Sequence, residues 1–110
     1  MIQVKFFILK NNSKKIKAIF TYIDETKTKT KTKTVSFGAN SYKDYTIYYK
    51  KNKKEATNRK IAYLARHIKN ENWDKFDTAG SLARYILWNK PTIQASINDY
   101  VKKFNLILVK

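Results

Sequence analysis

Residues 2–22 read IQVKFFILKNNSKKIKAIFTY, and their pattern sets the architecture of the N-terminal half. Ile2–Lys10 and Lys15–Tyr22 are rich in β-branched and aromatic side chains. Asn11-Asn12-Ser13-Lys14 between them are turn formers, so the stretch predicts a hairpin. C-terminal to it, the repeat TKTKTKTKT at Thr26–Thr34 leads into Val35-Ser36-Phe37-Gly38 as a third strand. Tyr45-Thr46-Ile47-Tyr48-Tyr49, after the turn residues Gly38–Ser41, predicts a further strand.

The period changes near Lys54. Ile61, Leu64, Ala65 and Ile68 recur at steps of three and four, which predicts a helix that buries that face. A second helix is expected from Thr78 to Asn89, capped by Asp77 or Thr78, burying Leu82, Tyr85 and Ile86 and stopped by Pro91. Thr92 is a natural N-cap for a third, whose apolar stripe is Ile93, Ile97, Tyr100, Val101 and Phe104. The tail Leu106–Val109 reads either as a closing strand or as a docked extension. The expected class is α+β, a small antiparallel sheet of N-terminal strands packed with about three C-terminal helices. Its 110 residues form a single domain, 1–49 strand-rich and 50–110 helical; with 43% hydrophobic and 15% aromatic side chains, they suffice for one core.

Composition narrows the function. Lysines interrupt every apolar run, so no segment is long enough to span a membrane, and Val4–Leu9 is too short for a secretory leader. The expectation is a protein that is not secreted. Without cysteine there is no disulfide, thiolate nucleophile or zinc-finger ligand set. Twenty-four Lys and Arg against eight Asp and Glu give a net charge of +16, which attracts phosphates or other polyanions. Abundant Lys, Asn, Ile and Tyr with only three Gly and Pro fit an AT-rich coding sequence, but that bias does not account for the shortage of acids. The charge is also uneven. Thr26–Asn70 holds thirteen bases and two acids, a balance of +11, whereas Met1–Glu25 carries +3 and Glu71–Lys110 carries +2.

Two clusters are candidate nucleic-acid contacts. In the repeat, Lys27, Lys29, Lys31 and Lys33 share one face of an extended chain at intervals of about 6.6 Å, close to the phosphate spacing of a strand. Such a row would bind without reading bases. The competing reading is a low-complexity segment whose lysines only keep an edge strand from aggregating. Arg59, Tyr63, Arg66 and His67 fall on one side of the first helix, a combination suited to phosphate contact and base stacking, and equally to a solvated helix face. Lys60 and Lys69 would widen the patch, and Lys50, Lys51, Lys53 and Lys54 are further candidate phosphate contacts. Trp73 and Trp88 read as core anchors, and Asp74 and Asp77 as helix-capping groups rather than an acid–base pair. His67 is the single histidine, so no metal site of paired histidines can form; a nucleophile elbow, phosphate-binding glycine loop or other cofactor motif is lacking. No catalytic residue, metal or cofactor is expected.

Between Thr34 and Phe104 an ordered set of short motifs carries a family resemblance. They are Thr34-Val35-Ser36-Phe37-Gly38-Ala39, Tyr42 with Asp44-Tyr45-Thr46-Ile47, Arg66-His67 and Glu71-Asn72-Trp73. Thr78-Ala79-Gly80, Arg84-Tyr85-Ile86-Leu87-Trp88, Lys90-Pro91-Thr92 and Ala95-Ser96-Ile97 complete the set. Together they resemble small basic proteins of uncharacterised function from nucleocytoplasmic large DNA viruses, the giant amoebal and algal viruses. Tyr48 stands where that group commonly has His, and Tyr48–Asn58 departs from its pattern. The resemblance implies a viral protein of the virion or of the host cytoplasm, at the virus factory, and supplies no reaction.

The leading expectation is a non-enzymatic module that binds DNA or RNA through phosphates, with packaging or condensation of virion DNA as a role. The alternative is a structural or adaptor protein docking an acidic viral or host protein. An adaptor should expose an apolar patch, with Leu106–Val109 or an unpaired N-terminal strand as candidates. A nuclease using His67 with Arg66 and a carboxylate is a third reading.

Overall fold

The computed structural model describes residues 1–26 and 30–110. Strand β1 (Ile2–Ile8) and β2 (Lys14–Ile23) form the expected hairpin, antiparallel from Ile2 opposite Tyr22 to Ile8 opposite Ile16. Asn11 takes the left-handed conformation at φ 53° that asparagine tolerates, and Asn12 Oδ1 accepts from Lys14 N, so the polar turn closes on its own side chains. Strand β3 (Thr30–Ala39) pairs antiparallel with β2.

The sheet is mixed rather than purely antiparallel, in the order β3-β2-β1-β4, because a tail strand, β4 (Ile107–Leu108), closes it. After the last helix Asn105 turns left-handed at φ 54°. Leu106 N then donates back to Val101 O at 2.8 Å and Asn105 N to Lys102 O, the paired bonds of a Schellman stop. That reversal delivers Ile107–Leu108 (β4) parallel to β1.

Even-numbered positions of β1 and β2 face the helices. Val4, Ile16, Ala18 and Phe20, with Phe37 of β3, are buried against Leu82, Ile86, Leu87, Ile97 and Tyr100. The opposite face, with Gln3, Lys5, Phe7, Lys17, Ile19 and Thr21, holds no buried side chain. The helical layer comprises α1 (Tyr45–Lys51), α2 (Lys53–His67), the short α3 (Ala79–Leu82) running into a π-helical turn (Ala83–Leu87), and α4 (Ile93–Lys103). Thr78 caps α3 through Ser81 N, and Thr92 caps α4 through Ala95 N.

Two expectations are corrected. Tyr45–Tyr49 is helical. The carboxylate of Asp44 accepts from the backbone N–H of Thr46 and Ile47 and from the Thr46 hydroxyl, and this cap overrides the strand propensity of the aromatic run. The second correction is the orientation of α2. Ile61 and Ile68 are 61% and 59% exposed, while Ala56 and Tyr63 are buried and Lys60 and His67 half-buried. The anchor is aromatic: Tyr63 lies flat on Trp88 at 4.5 Å, a contact larger than any aliphatic side chain of the expected stripe could make.

Candidate functional site

Where β3, α1, α2 and the π-helical turn meet, they leave a cleft of about 490 Å³. The sheet contributes Lys15, Gly38 and Ala39, the following loop Tyr42, Lys43 and Asp44, and α1 contributes Tyr48. Helix α2 lines it with Arg59, Ala62, Tyr63, Arg66 and His67, and the floor is Ala83, Leu87 and Trp88. The cleft depends on a glycine. Gly38 sits at φ +77°, and a Cβ there would come within 2.5 Å of Leu87 Cδ1, so only glycine lets the strand end approach the floor. The floor itself includes a π-helical turn, a distortion that recurs at functional sites because it redirects side chains.

The electrostatics are one-sided. Asp44 is the single carboxylate in the wall, and its charge is taken up. One oxygen caps α1, and the other accepts from Lys15 Nζ at 2.6 Å, with side chains only 13% and 5% exposed. Lys43, Arg59 and Arg66 therefore face the opening without a compensating acid in the wall. Arg59 meets Glu55 at 3.5 Å, but both are about half exposed, so water screens that pair and leaves the guanidinium available. It also lies over the Tyr48 ring at 5.1 Å.

Behind these cations is a three-ring stack. Tyr63 has Trp88 on one face and His67 on the other, with centroids 4.5 and 4.2 Å apart. Both faces of Tyr63 are thus covered, and Tyr63 acts as the middle of the stack rather than as a free platform. Burial, reinforced by the Glu71 carboxylate, pushes its phenol up to about 12, so it stays neutral at physiological pH. Glu71 holds the end of the stack: Oε1 lies 3.2 Å from His67 Nδ1, and Oε2 accepts from Trp73 Nε1 at 2.7 Å. Arg84 braces the far side, donating to Trp88 O at 3.0 Å and lying over the Tyr85 and Trp73 rings. Among the described residues no set of three His, Cys, Asp or Glu converges as metal ligands.

Arg59, Tyr63, Arg66 and His67 are thus brought together. Lys60 is not with them. It is half-buried, lies over Tyr45 at 5.0 Å and donates to Asn89 O at 2.8 Å. Burial first, then Arg84 and Lys90, lowers the pKa of its ammonium. Lys50, Lys51, Lys53 and Lys54 form an exposed ridge where α1 passes into α2 at the capping residue Asn52. Lys31 and Lys33 lie opposite Tyr22 and Phe20, on the helix-facing side of the sheet, and Lys33 reaches Asp77 at 3.5 Å. Along β3 they stand roughly 17 to 23 Å from Gly38. Lys27 and Lys29 fall outside the described residues. Tyr42, Lys43, Lys15 and Trp88 were not among the expected contacts. Only Lys43, inside the strongly basic middle third, carried a signal in the sequence. Asp77 is not a helix cap. It accepts from the Tyr22 hydroxyl at 2.5 Å and ties the sheet to the helical layer.

A scan against protein-family models gave no match, and neither the curated proteins nor the solved structures yielded one.

Proposed function

We propose that this chain is a non-enzymatic nucleic-acid-binding domain that holds DNA or RNA by sequence-independent contacts to phosphate. The observation that carries this reading is the convergence of Lys43, Arg59 and Arg66 on one cleft whose single carboxylate is already paired with Lys15. The Lys50–Lys54 ridge extends that cationic surface along α1 and α2, so a backbone crossing the cleft mouth has further ammonium groups to follow. In the viral setting of the resemblance, the activity would serve packaging or condensation of the genome.

The test is fluorescence anisotropy with unrelated DNA and RNA sequences, in salt from about 50 to 300 mM. Affinity should be similar across sequences and fall steeply with salt. Replacing Arg59 and Arg66 together by Gln should flatten the log–log salt slope by about 1.4 to 1.8, the share of two phosphate contacts. Binding that ignores salt would overturn the reading.

One observation favours a second reading, an adaptor for an acidic protein. The exposed Ile61 and Ile68 flank Leu64 on α2, and while Leu64 packs against the core the two isoleucines present apolar surface to solvent. The segments first expected to be free do not supply such a patch: Leu106 is buried, Ile107–Leu108 pairs with β1, and β1 is paired on both sides. An adaptor would lose a defined partner on Ile61→Asp while its nucleic-acid anisotropy stayed unchanged.

A further inference from the structure

The cleft has a property that phosphate tracking does not need. A surface that only follows a backbone requires exposed cations, and the Lys50–Lys54 ridge already supplies them. Beside them the chain maintains a concavity of about 490 Å³, within the range of about 300–1,000 Å³ that small organic ligands occupy. Its floor is apolar and aromatic, made by Leu87, Trp88 and Ala83, and a glycine at a backbone angle other residues rarely adopt lets the strand end pack against it. At its rim Tyr42 is 74% exposed, so its ring is accessible to a molecule entering the cleft. His67, at the end of the ring stack, is 39% exposed. Cations at the mouth and rings within are the two halves of a nucleotide's chemistry, a phosphate and a planar base.

We infer that the cleft seats one unpaired nucleotide of a single-stranded segment, the base entering between Tyr42 and the His67 end of the stack, its phosphate held by Lys43, Arg59 and Arg66. This rests on the nucleic-acid reading above and adds a substrate class to it. In a duplex each base face is covered by its neighbours and only the edges reach the grooves, so a base can enter such a cleft only from a loop, an end or a single strand. Single strands should therefore bind more tightly than a duplex of the same sequence. Because every base offers a π face, this preference does not require sequence recognition.

The decisive measurement is anisotropy of the intact chain at one fixed salt concentration with four probes: a single strand, its duplex, the same strand with abasic sites, and a free nucleoside monophosphate as competitor. The expected result is a roughly tenfold advantage of the single strand over both the duplex and the abasic strand, with the monophosphate competing only weakly. Tyr42→Ala, at an exposed position, and Ala62→Phe, which adds bulk to the cleft wall from the exposed side of α2, should each erase that advantage, so that single strand, duplex and abasic strand bind alike. Far-UV circular dichroism checks that both variants fold, and the abasic strand tests the idea with no variant at all. If single strand, duplex and abasic strand bind equally, the cleft proposal fails while the phosphate reading stands. If none binds at low salt, both fail. A monophosphate that competes as well as the strand would overturn the assignment to a strand and leave a soluble nucleotide as the occupant.

Discussion

At Gly38 two independent constraints coincide, a left-handed backbone and a side chain, Leu87, standing where a Cβ would go. Gly38→Ala should therefore cost about 2 kcal/mol or more in a urea melt, since either the strand end or Leu87 must move. An unchanged midpoint would show that β3 relaxes without cost. Asp77 carries a pH dependence. Burial opposes its charge, but the Tyr22 hydroxyl and Lys33 outweigh that and lower its pKa below the usual 3.8. A depressed folded pKa means that the contribution is fully present above the unfolded value of 3.8 and is lost as the pH falls from there through the folded one. Asp77→Asn should leave a chain whose thermal midpoint declines less between about pH 5 and pH 2 than that of the parent. A parallel decline in both would remove Asp77 from the account.

Among the elements, α1 shows where sequence reading runs out. Tyr45-Thr46-Ile47-Tyr48-Tyr49 has a strand composition, and what makes it helical is the preceding aspartate together with partners far away in sequence: Trp88 beside Tyr48, and Lys60 over Tyr45. The hairpin and the third helix were legible because their signals are local, alternation in one case and Thr92 with a periodic stripe in the other. The rotation of α2 was not, since it follows from the fit of Tyr63 on Trp88 rather than from the count of aliphatic residues. The same limit applies to the site. Arg59, Tyr63, Arg66 and His67 could be grouped by helical spacing, whereas Tyr42, Lys43 and Trp88 join them only through tertiary contact. Asp44 is where element and site meet, because it caps α1 and neutralises Lys15. Asp44→Ala should cost about 3 kcal/mol or more, one part for the lost cap and the larger part for a buried ammonium left alone. Asp44→Asn should recover the cap but not the ion pair, and would be read as a smaller loss in the same melt. Equal losses would mean that the cap contributes nothing, and an Asn variant as stable as the parent would mean that the ion pair contributes nothing.

On the scale of the whole molecule, charge sets two opposing responses to salt. A chain at +16, its longest dimension 49 Å, repels itself, and among the described residues carboxylates pair with Lys15, Lys33 and Arg59 alone of the lysines and arginines. Screening that repulsion favours the compact state, whereas the same ions compete for the phosphates a nucleic acid would present. Raising salt from about 50 to 300 mM should therefore increase the melting temperature of the free chain while weakening its affinity for nucleic acid. Replacing Lys50, Lys51, Lys53 and Lys54 by Gln removes four like charges from an exposed ridge. It should raise the low-salt melting temperature and reduce that temperature's dependence on salt, and at the same time lower affinity for single strands and duplexes by the same factor. A bound strand should itself stabilise the fold, by an increment that grows with its concentration over its dissociation constant and shrinks as salt rises. If salt moved stability and binding in the same direction, the cationic surface would not be the common cause, and specific contacts insensitive to charge would have to carry the interaction instead.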